Sequence, residues 1–161
     1  MNYAGVDWES TVNGPGFRVV LYLQGCSHHC LGCHNEQTWD PKKGDLLTEE
    51  LLDSIVKLVN DEPLYQGVTL SGGDPFFNEK ELLKILTFFK EKLDSTKTIW
   101  CYTGYTYQRV VENGWFEHLK LIDTLIDGLF VKELNDYEVK FRGSSNQRIL
   151  YLTEGIIVKE E

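Results

Sequence analysis

Short apolar runs separated by polar segments dominate the hydrophobic pattern of this chain. The most continuous run lies within residues 17–23, and such a run is typical of a parallel strand that is buried on both faces. The pattern predicts strands at residues 17–23, 67–70, 98–103, 124–126, 148–152 and 156–159, the last two forming a hairpin.

Apolar residues recur at helical spacing between these runs. Helices are predicted at residues 48–60, 78–93, 106–113 and 115–121. The first two begin at favourable caps, Thr48 and Asn78, whose side chains can accept a backbone N–H of the first turn. His118 lies in the last helical piece, and we expect it to be a surface or capping residue rather than a metal ligand.

Strands that alternate with helices predict β/α units with right-handed crossovers. A complete barrel of eight such units needs roughly 200 residues or more. This chain has 161 residues, enough for one domain with a real core. We therefore expect an α/β fold in a single domain, residues 1–161, built as a partial, open (β/α) barrel of mainly parallel strands.

The composition narrows the classes of function. A formal net charge of -9 argues against nucleic-acid binding, because contacts to phosphates need a basic surface. Residues 1–10 are polar and acidic, and no apolar run approaches the length of a membrane span. We therefore expect a cytoplasmic protein without a membrane partner.

Four cysteines in such a chain indicate metal binding or redox chemistry rather than disulfides. Cys26, Cys30 and Cys33 form a C-x3-C-x2-C triplet directly after the first predicted strand. Three soft thiolates in one loop can converge on a single inorganic centre, and an iron-sulfur cluster is the first hypothesis. A cubane cluster held by this triplet would keep one iron open to a small molecule. Cys101 lies within an apolar strand, and we expect it to be a buried, inert thiol.

Two other interpretations of the triplet stay open from the residues alone. Cys30 and Cys33 could form a redox dithiol, although this leaves Cys26 unexplained. The three cysteines could instead form a closed zinc site of the Cys3His type with one histidine of the same stretch, namely His28, His29 or His34.

Three further motifs follow the ends of predicted strands. They are Ser71-Gly72-Gly73-Asp74-Pro75, Thr103-Gly104 and Asp127-Gly128. Ligands bind at the carboxyl ends of strands in barrels and in open sheets, so the cysteine loop and these motifs predict one site. Paired glycines let a backbone approach a ligand closely, and Asp74 offers a carboxylate to an ammonium group.

With the triplet and Gly-Gly-Asp-Pro on one edge, the sequence resembles the radical S-adenosylmethionine enzymes, whose signature is C-x3-C-x2-C after a first strand. Within that superfamily it is similar to the branch that activates anaerobic, class III ribonucleotide reductase. The similarity covers nearly the whole chain. The motifs that carry it are residues 12–16, the triplet with His34-Asn35, and residues 71–75, 100–105, 127–128 and 142–147.

The resemblance implies a 4Fe-4S cluster bound by Cys26, Cys30 and Cys33. It also implies that S-adenosylmethionine chelates the fourth iron through its amino and carboxylate groups. The candidate cofactor-binding residues are Gly72, Gly73 and Asp74 at the methionine end, Gly32, Cys33 and His34 beside the adenine, and Thr103 at the same edge.

Two features qualify this assignment. Gly32 stands where an aromatic residue often precedes the third cysteine in the superfamily, so aromatic stacking on the adenine is not expected there. For residues 142–148 the resemblance is clear but implies no chemical role. From sequence alone, Gly73→Val and Asp74→Ala are each expected to keep the cluster and to weaken cofactor binding.

The function that the resemblance implies is activation of anaerobic ribonucleotide reductase. The chain would generate a glycyl radical on the catalytic subunit through reductive cleavage of S-adenosylmethionine to a 5′-deoxyadenosyl radical. A low-potential donor such as flavodoxin would supply the electron. The alternatives are an activase of another glycyl-radical enzyme, another small radical S-adenosylmethionine enzyme, or a zinc-stabilised binding module without enzyme activity.

Overall fold

The computed structural model describes residues 1–161 and contains one mixed sheet of eight strands. The strands are β1 (Asn2–Ser10), β2 (Phe17–Leu23), β3 (Asp45–Leu46), β4 (Tyr65–Gly72), β5 (Thr98–Tyr102), β6 (Thr124–Asp127), β7 (Arg148–Thr153) and β8 (Ile156–Glu160). The helices are α1 (Glu49–Asp61), α2 (Glu79–Lys92), α3 (Tyr107–Glu112) and α4 (Phe116–Leu119). Helices with the length and apolarity that a membrane crossing requires are absent.

The strands lie in the order β3-β1-β2-β4-β5-β6-β7-β8. The central strands β2, β4, β5 and β6 are parallel to one another. Every pairing on the two flanks is antiparallel. The prediction of mainly parallel strands is therefore correct for the centre and wrong for the flanks. Because β3 and β8 are free edges, the sheet does not close.

Strand β1 is an element that the hydrophobic pattern does not predict. Most of its residues are half-exposed or exposed, and only the two-residue strand β3 continues the sheet beyond it. A strand of this kind lacks the continuous apolar run that a doubly covered strand has. Pairing of β1 with β2 is what covers the edge of the parallel centre.

The larger core cluster contains 23 buried residues and lies between the sheet and the helices. The predicted caps are confirmed, since the side chains of Thr48 and Asn78 each accept a backbone N–H from the first turn of α1 and α2. His118 was predicted to be a surface or capping residue, and the surface placement is wrong. His118 is buried, and its Nε2 lies 2.7 Å from the backbone oxygen of Glu79, which ties α4 to the start of α2.

The opposite face of the sheet carries a smaller apolar cluster of Trp100, Ile126 and Ile149. Beside it, the buried guanidinium of Arg18 donates to backbone and hydroxyl oxygens of β4 and β5. It lies 5.4 Å from the centre of the Trp100 ring. Burial lowers the pKa of Arg18 to about 10. These contacts fill the amino-terminal part of this face, so open space is left towards the carboxyl ends of the parallel strands.

Candidate functional site

The carboxyl ends of the four parallel strands surround a cavity of about 800 Å³, a size that suits a small-molecule cofactor. The predicted site residues that line it are Cys26, Cys30, Cys33, His34, Gly72, Gly73, Asp74 and Thr103. Gly32 is a predicted site residue outside this lining, and a Cβ atom at this position would lie 3.1 Å from the side chain of Lys132. The structure therefore brings three of the four predicted motifs together around one space.

The fourth motif, Asp127-Gly128, is only half involved. Gly128 lines the cavity, but the buried carboxylate of Asp127 is not part of its lining and is hydrogen-bonded elsewhere. Asp127 accepts from Arg148 Nε at 2.9 Å and from the backbone N–H of Tyr107 at 2.7 Å. Asp127 therefore joins β6 to β7 and α3 instead of serving the cavity.

The three cysteines of the triplet reach the cavity from the loop that follows β2. All three are free, half-buried thiols. Burial raises the pKa of the Cys26 and Cys30 thiols, so a metal that binds their thiolates has to displace the protons. Cys101 is fully buried in the core on the helix side, which confirms that it is a buried thiol apart from the triplet.

The histidines near the triplet have other partners. His28 Nε2 lies 2.5 Å from Asp74 Oδ2, and His29 stacks on Trp39 with the ring centres 4.3 Å apart. His34 packs against an aromatic ring of a neighbouring loop. No three His, Cys, Asp or Glu side chains converge closely enough to enclose a single metal ion. The arrangement therefore does not form the closed Cys3His zinc site.

A four-iron cluster does not need the close convergence of ligands that a single ion needs. Each thiolate of such a cluster binds a different iron, so the sulfur ligands surround the cluster instead of meeting at one point. Trp39 lines the same cavity, and its Nε1 is buried without a hydrogen-bond partner.

Asp74 is the centre of the polar contacts at this edge of the sheet. Its carboxylate is buried and accepts from the Phe76 N–H, the Thr103 hydroxyl and the Gly104 N–H at 2.9–3.0 Å. Together with the contact to His28, these bonds link the ends of β4 and β5 to the cysteine loop. From sequence, His28 is predicted only as a candidate zinc ligand, because its position relative to Asp74 in the chain gives no indication that the two side chains meet.

Gly73 lies directly against the start of the cysteine loop. A Cβ atom on Gly73 would lie only 2.3 Å from the backbone oxygen of Gly25. The next residue, Asp74, donates its N–H to that same oxygen at 2.9 Å. The sequence predicted that the glycine makes room for a ligand, whereas the structure fills this space with the backbone of the chain. The glycine pair therefore holds the cysteine loop against the end of β4.

Residues 128–147 form a long connection, and much of it lines the cavity. The side-chain oxygen of Gln147 accepts two backbone N–H groups of this loop, and its amide donates to the backbone oxygen of Gly128 at 3.0 Å. Residues 142–148, which had no role from sequence, therefore hold the two ends of the loop together.

Tyr102→Phe tests how this loop is anchored. The Tyr102 hydroxyl donates to the backbone oxygen of Phe141, a residue with a left-handed φ of 64°. Burial raises the pKa of Tyr102 to about 12, so the hydroxyl keeps its proton for this bond. We expect the substitution to lower the free energy of unfolding by about 1 kcal/mol. Hydrogen exchange in residues 135–147 should become faster.

The control for this experiment is Tyr151→Phe, because the Tyr151 hydroxyl makes only an exposed contact of 3.4 Å. Both variants lose the same atom, but only Tyr102 reaches the loop. Equal exchange rates in residues 135–147 of the two variants would contradict the anchoring role.

Comparison with known families agrees with this geometry. Residues 12–150 match a family model described as "4Fe-4S single cluster domain". The match includes the cysteine loop and all four strand ends around the cavity. Fold and site together therefore define a class of proteins built around one 4Fe-4S cluster.

Individual proteins of similar sequence identify the family within this class. One from Enterobacteria phage T4 is 37% identical over 97% of this chain and 97% of its own length. One from Escherichia coli K12 is 37% identical over 94% of this chain and 99% of its own length. One from Vibrio cholerae serotype O1 is 38% identical over 92% of this chain and 97% of its own length. The chain belongs to the family that these relatives share, the anaerobic ribonucleoside-triphosphate reductase-activating proteins.

Proposed function

We propose that this chain activates anaerobic ribonucleotide reductase by generating a glycyl radical on its catalytic subunit. Reductive cleavage of S-adenosylmethionine would give a 5′-deoxyadenosyl radical that takes a hydrogen atom from the glycine. The observation that carries the proposal is that Cys26, Cys30 and Cys33 line one cavity together with the Gly72-Gly73 turn. The shared name of the relatives supports the reductase as the target.

The proposed cofactor contacts follow the predicted site residues. Cys26, Cys30 and Cys33 would hold three irons of a 4Fe-4S cluster and leave the fourth to S-adenosylmethionine. We assign the methionine end of the cofactor to Gly72, Gly73 and Asp74, the adenine side to Gly32, Cys33 and His34, and a contact at the end of β5 to Thr103. When bound, the cluster supplies the electron that cleaves the sulfonium. The residues of the chain bind the cofactor, orient it and keep competing groups away.

The open cavity supports a protein as the substrate. The sheet does not close, and Tyr137, on the loop that lines the cavity, is 90% exposed. A primary carbon radical reacts with many nearby C–H bonds, so the cavity has to be covered during the reaction. A docked partner can cover it as a lid does in larger enzymes. Glycine suits the reaction because no side chain obstructs its approach.

The remaining parts of the proposal concern the whole chain. We take residues 1–161 as one radical S-adenosylmethionine domain whose open sheet corresponds to part of a (β/α) barrel. A low-potential donor such as flavodoxin would supply the electron, and the reaction would take place in the cytoplasm. Activation of a different glycyl-radical enzyme is the alternative, and no particular contact in the site favours it.

Transfer of deuterium from the partner tests this function directly. Reduced, cluster-loaded protein is incubated anaerobically with S-adenosylmethionine and a reductase subunit that carries deuterated glycine. In the proposed step a C–D bond of the glycine would break, the deuterium atom would bond to the 5′ carbon of the 5′-deoxyadenosyl radical to give 5′-deoxyadenosine, and the unpaired electron would stay on the glycine α-carbon. We expect deuterated 5′-deoxyadenosine in mass spectra to increase together with a glycyl radical signal in EPR spectra.

Two controls complete the experiment. Unlabelled subunit should give the radical without deuterium, and a subunit whose radical-bearing glycine is replaced should give neither. Cleavage of S-adenosylmethionine with no deuterium transfer and no radical would refute the assigned substrate. A loaded cluster that supports no cleavage at all would refute the radical mechanism.

A further inference from the structure

His28 lies between the first two cysteines of the triplet and connects their loop to the ends of two strands. Its Nε2 is 2.5 Å from Asp74 Oδ2, and its side chain is only 15% exposed. The contact carries one hydrogen, and an ionised carboxylate can only accept, so Nε2 is the donor when Asp74 is ionised. The ring of Tyr105 meets the imidazole edge-on, with the ring centres 4.7 Å apart.

Gly104 provides the space for the imidazole ring on another side. A Cβ atom at this position would lie 2.7 Å from Cδ2 of His28, so a larger residue would push the ring away from Asp74. The backbone N–H of Gly104 also donates to Asp74 Oδ2 at 2.9 Å. Gly104, just after the end of β5, therefore helps to position both His28 and Asp74.

The carboxylate of Asp74 has no capacity left for another donor. Its two oxygens offer about four lone-pair sites. Four groups already donate to them, namely His28 Nε2, the Thr103 hydroxyl and the backbone N–H groups of Phe76 and Gly104. Asp74 is also only 2% exposed. An ammonium group could reach this carboxylate only by displacing one of the four donors.

We propose that His28 and Asp74 form a clasp that fixes the cysteine loop against the Gly72-Gly73 turn, an inference that rests on the proposed function. Asp74 then serves the methionine end of the cofactor as a positioning residue of this turn, without pairing directly with the ammonium group. The cysteine loop presents the thiolates, and the turn faces the methionine end of S-adenosylmethionine. The clasp therefore sets the distance between the two binding regions.

Matched substitutions in the cysteine loop test the clasp. His28→Asn breaks the contact because its amide is too short to reach Asp74, whereas His28→Gln returns a donor near the position of Nε2. Asp74→Asn keeps the shape of the side chain and removes an acceptor. His29→Asn makes the same change at the neighbouring histidine, which stacks on Trp39 and whose left-handed φ of 50° asparagine tolerates.

The first measurement is the affinity of the cluster-loaded protein for S-adenosylmethionine, determined by calorimetry. The second is the change that S-adenosylmethionine causes in the EPR spectrum of the reduced cluster. We expect His28→Asn and Asp74→Asn each to weaken binding about tenfold, as residues that orient metal ligands do, and to diminish the spectral change. His28→Gln should restore most of the affinity. The double variant should bind no more weakly than the weaker single variant, because the His28–Asp74 contact is already lost in each single variant and the other bonds of Asp74 are already disturbed in Asp74→Asn.

Three results would overturn the clasp. The first is a His28→Asn variant that binds S-adenosylmethionine as tightly as His29→Asn does. The second is a double variant whose loss of affinity is the product of the two single losses, and the third is a His28→Gln variant that binds no more tightly than His28→Asn. A variant that does not retain its cluster is assessed by the alkylation rate of the triplet cysteines in the metal-free chain. The clasp predicts faster alkylation in His28→Asn and Asp74→Asn than in His29→Asn, and equal rates overturn it.

The proposed function and the clasp fail in different ways. Unsubstituted protein that holds a cluster but does not bind S-adenosylmethionine refutes the proposed function. Unsubstituted protein that binds S-adenosylmethionine, with the His28 variants indistinguishable from the His29 control, refutes the clasp alone.

Discussion

Replacing Cys26, Cys30 or Cys33 by Ala is expected to abolish cluster binding, whereas Cys101→Ala should retain it. The triplet thiols line one cavity, and each is expected to hold a different iron, so the loss of one leaves an incomplete ligand set. Cys101 is fully buried in the core on the helix side of the sheet and does not line the cavity. Iron content should fall from about four per chain to near zero in the triplet variants alone.

Anaerobic purification followed by iron, sulfide and zinc analysis measures this difference, with absorption and EPR spectra as the second readout. Thermal unfolding of the metal-free variants controls for general destabilisation. A cluster that is retained in Cys30→Ala and lost in Cys101→Ala would overturn the assignment. Colourless protein that contains zinc would instead favour the zinc-stabilised binding module.

Gly73→Val is expected to remove both the cluster and the binding of S-adenosylmethionine. A Cβ atom at this position would lie 2.3 Å from the backbone oxygen of Gly25 and 2.9 Å from that of Thr38. Neither atom belongs to a flexible side chain, so the start of the cysteine loop has to move away. Overpacking of this kind costs about 1–3 kcal/mol, and here the strain falls on the loop that carries the ligands. The sequence alone led to a different expectation, in which the cluster survives.

Gly5→Val is the matched control for this substitution. Gly5 lies in β1, and a Cβ atom there would have no neighbour within 4 Å. Iron and sulfide content and the affinity for S-adenosylmethionine are compared in the two variants. A Gly73→Val protein that retains a full cluster and loses only S-adenosylmethionine would show that the close approach to Gly25 does not govern the loop.

Much of the central architecture could be predicted because local pattern determines it. Strand β2 is covered on both faces, so its sequence is almost continuously apolar and easy to recognise. Thr48 and Asn78 accept hydrogen bonds from backbone groups only three residues away. Helix caps of this kind can therefore be predicted from a short stretch of sequence.

The flanks of the sheet were harder to predict. Strand β1 is half-exposed, so its sequence carries little apolar signal, and only the edge of β2 specifies it. His118 was expected to be a surface or capping residue because no sequence pattern indicates that an isolated histidine in a polar helix is buried. Its partner, Glu79, belongs to a different helix, so the contact depends on how α2 and α4 pack.

The sequence by itself determined the cysteine triplet, the central parallel strands and the edge at which their motifs meet. These features depend on residue spacing and on the rule that parallel strands end at the same side of a sheet. Only the tertiary structure decided what Asp74 and Gly73 do there. Asp74 meets His28 and Thr103 across 46 and 29 positions of the chain, and Gly73 faces a backbone oxygen of another loop. Packing between distant segments brings these groups into contact. A local sequence pattern therefore cannot show which donor or backbone atom will be the partner.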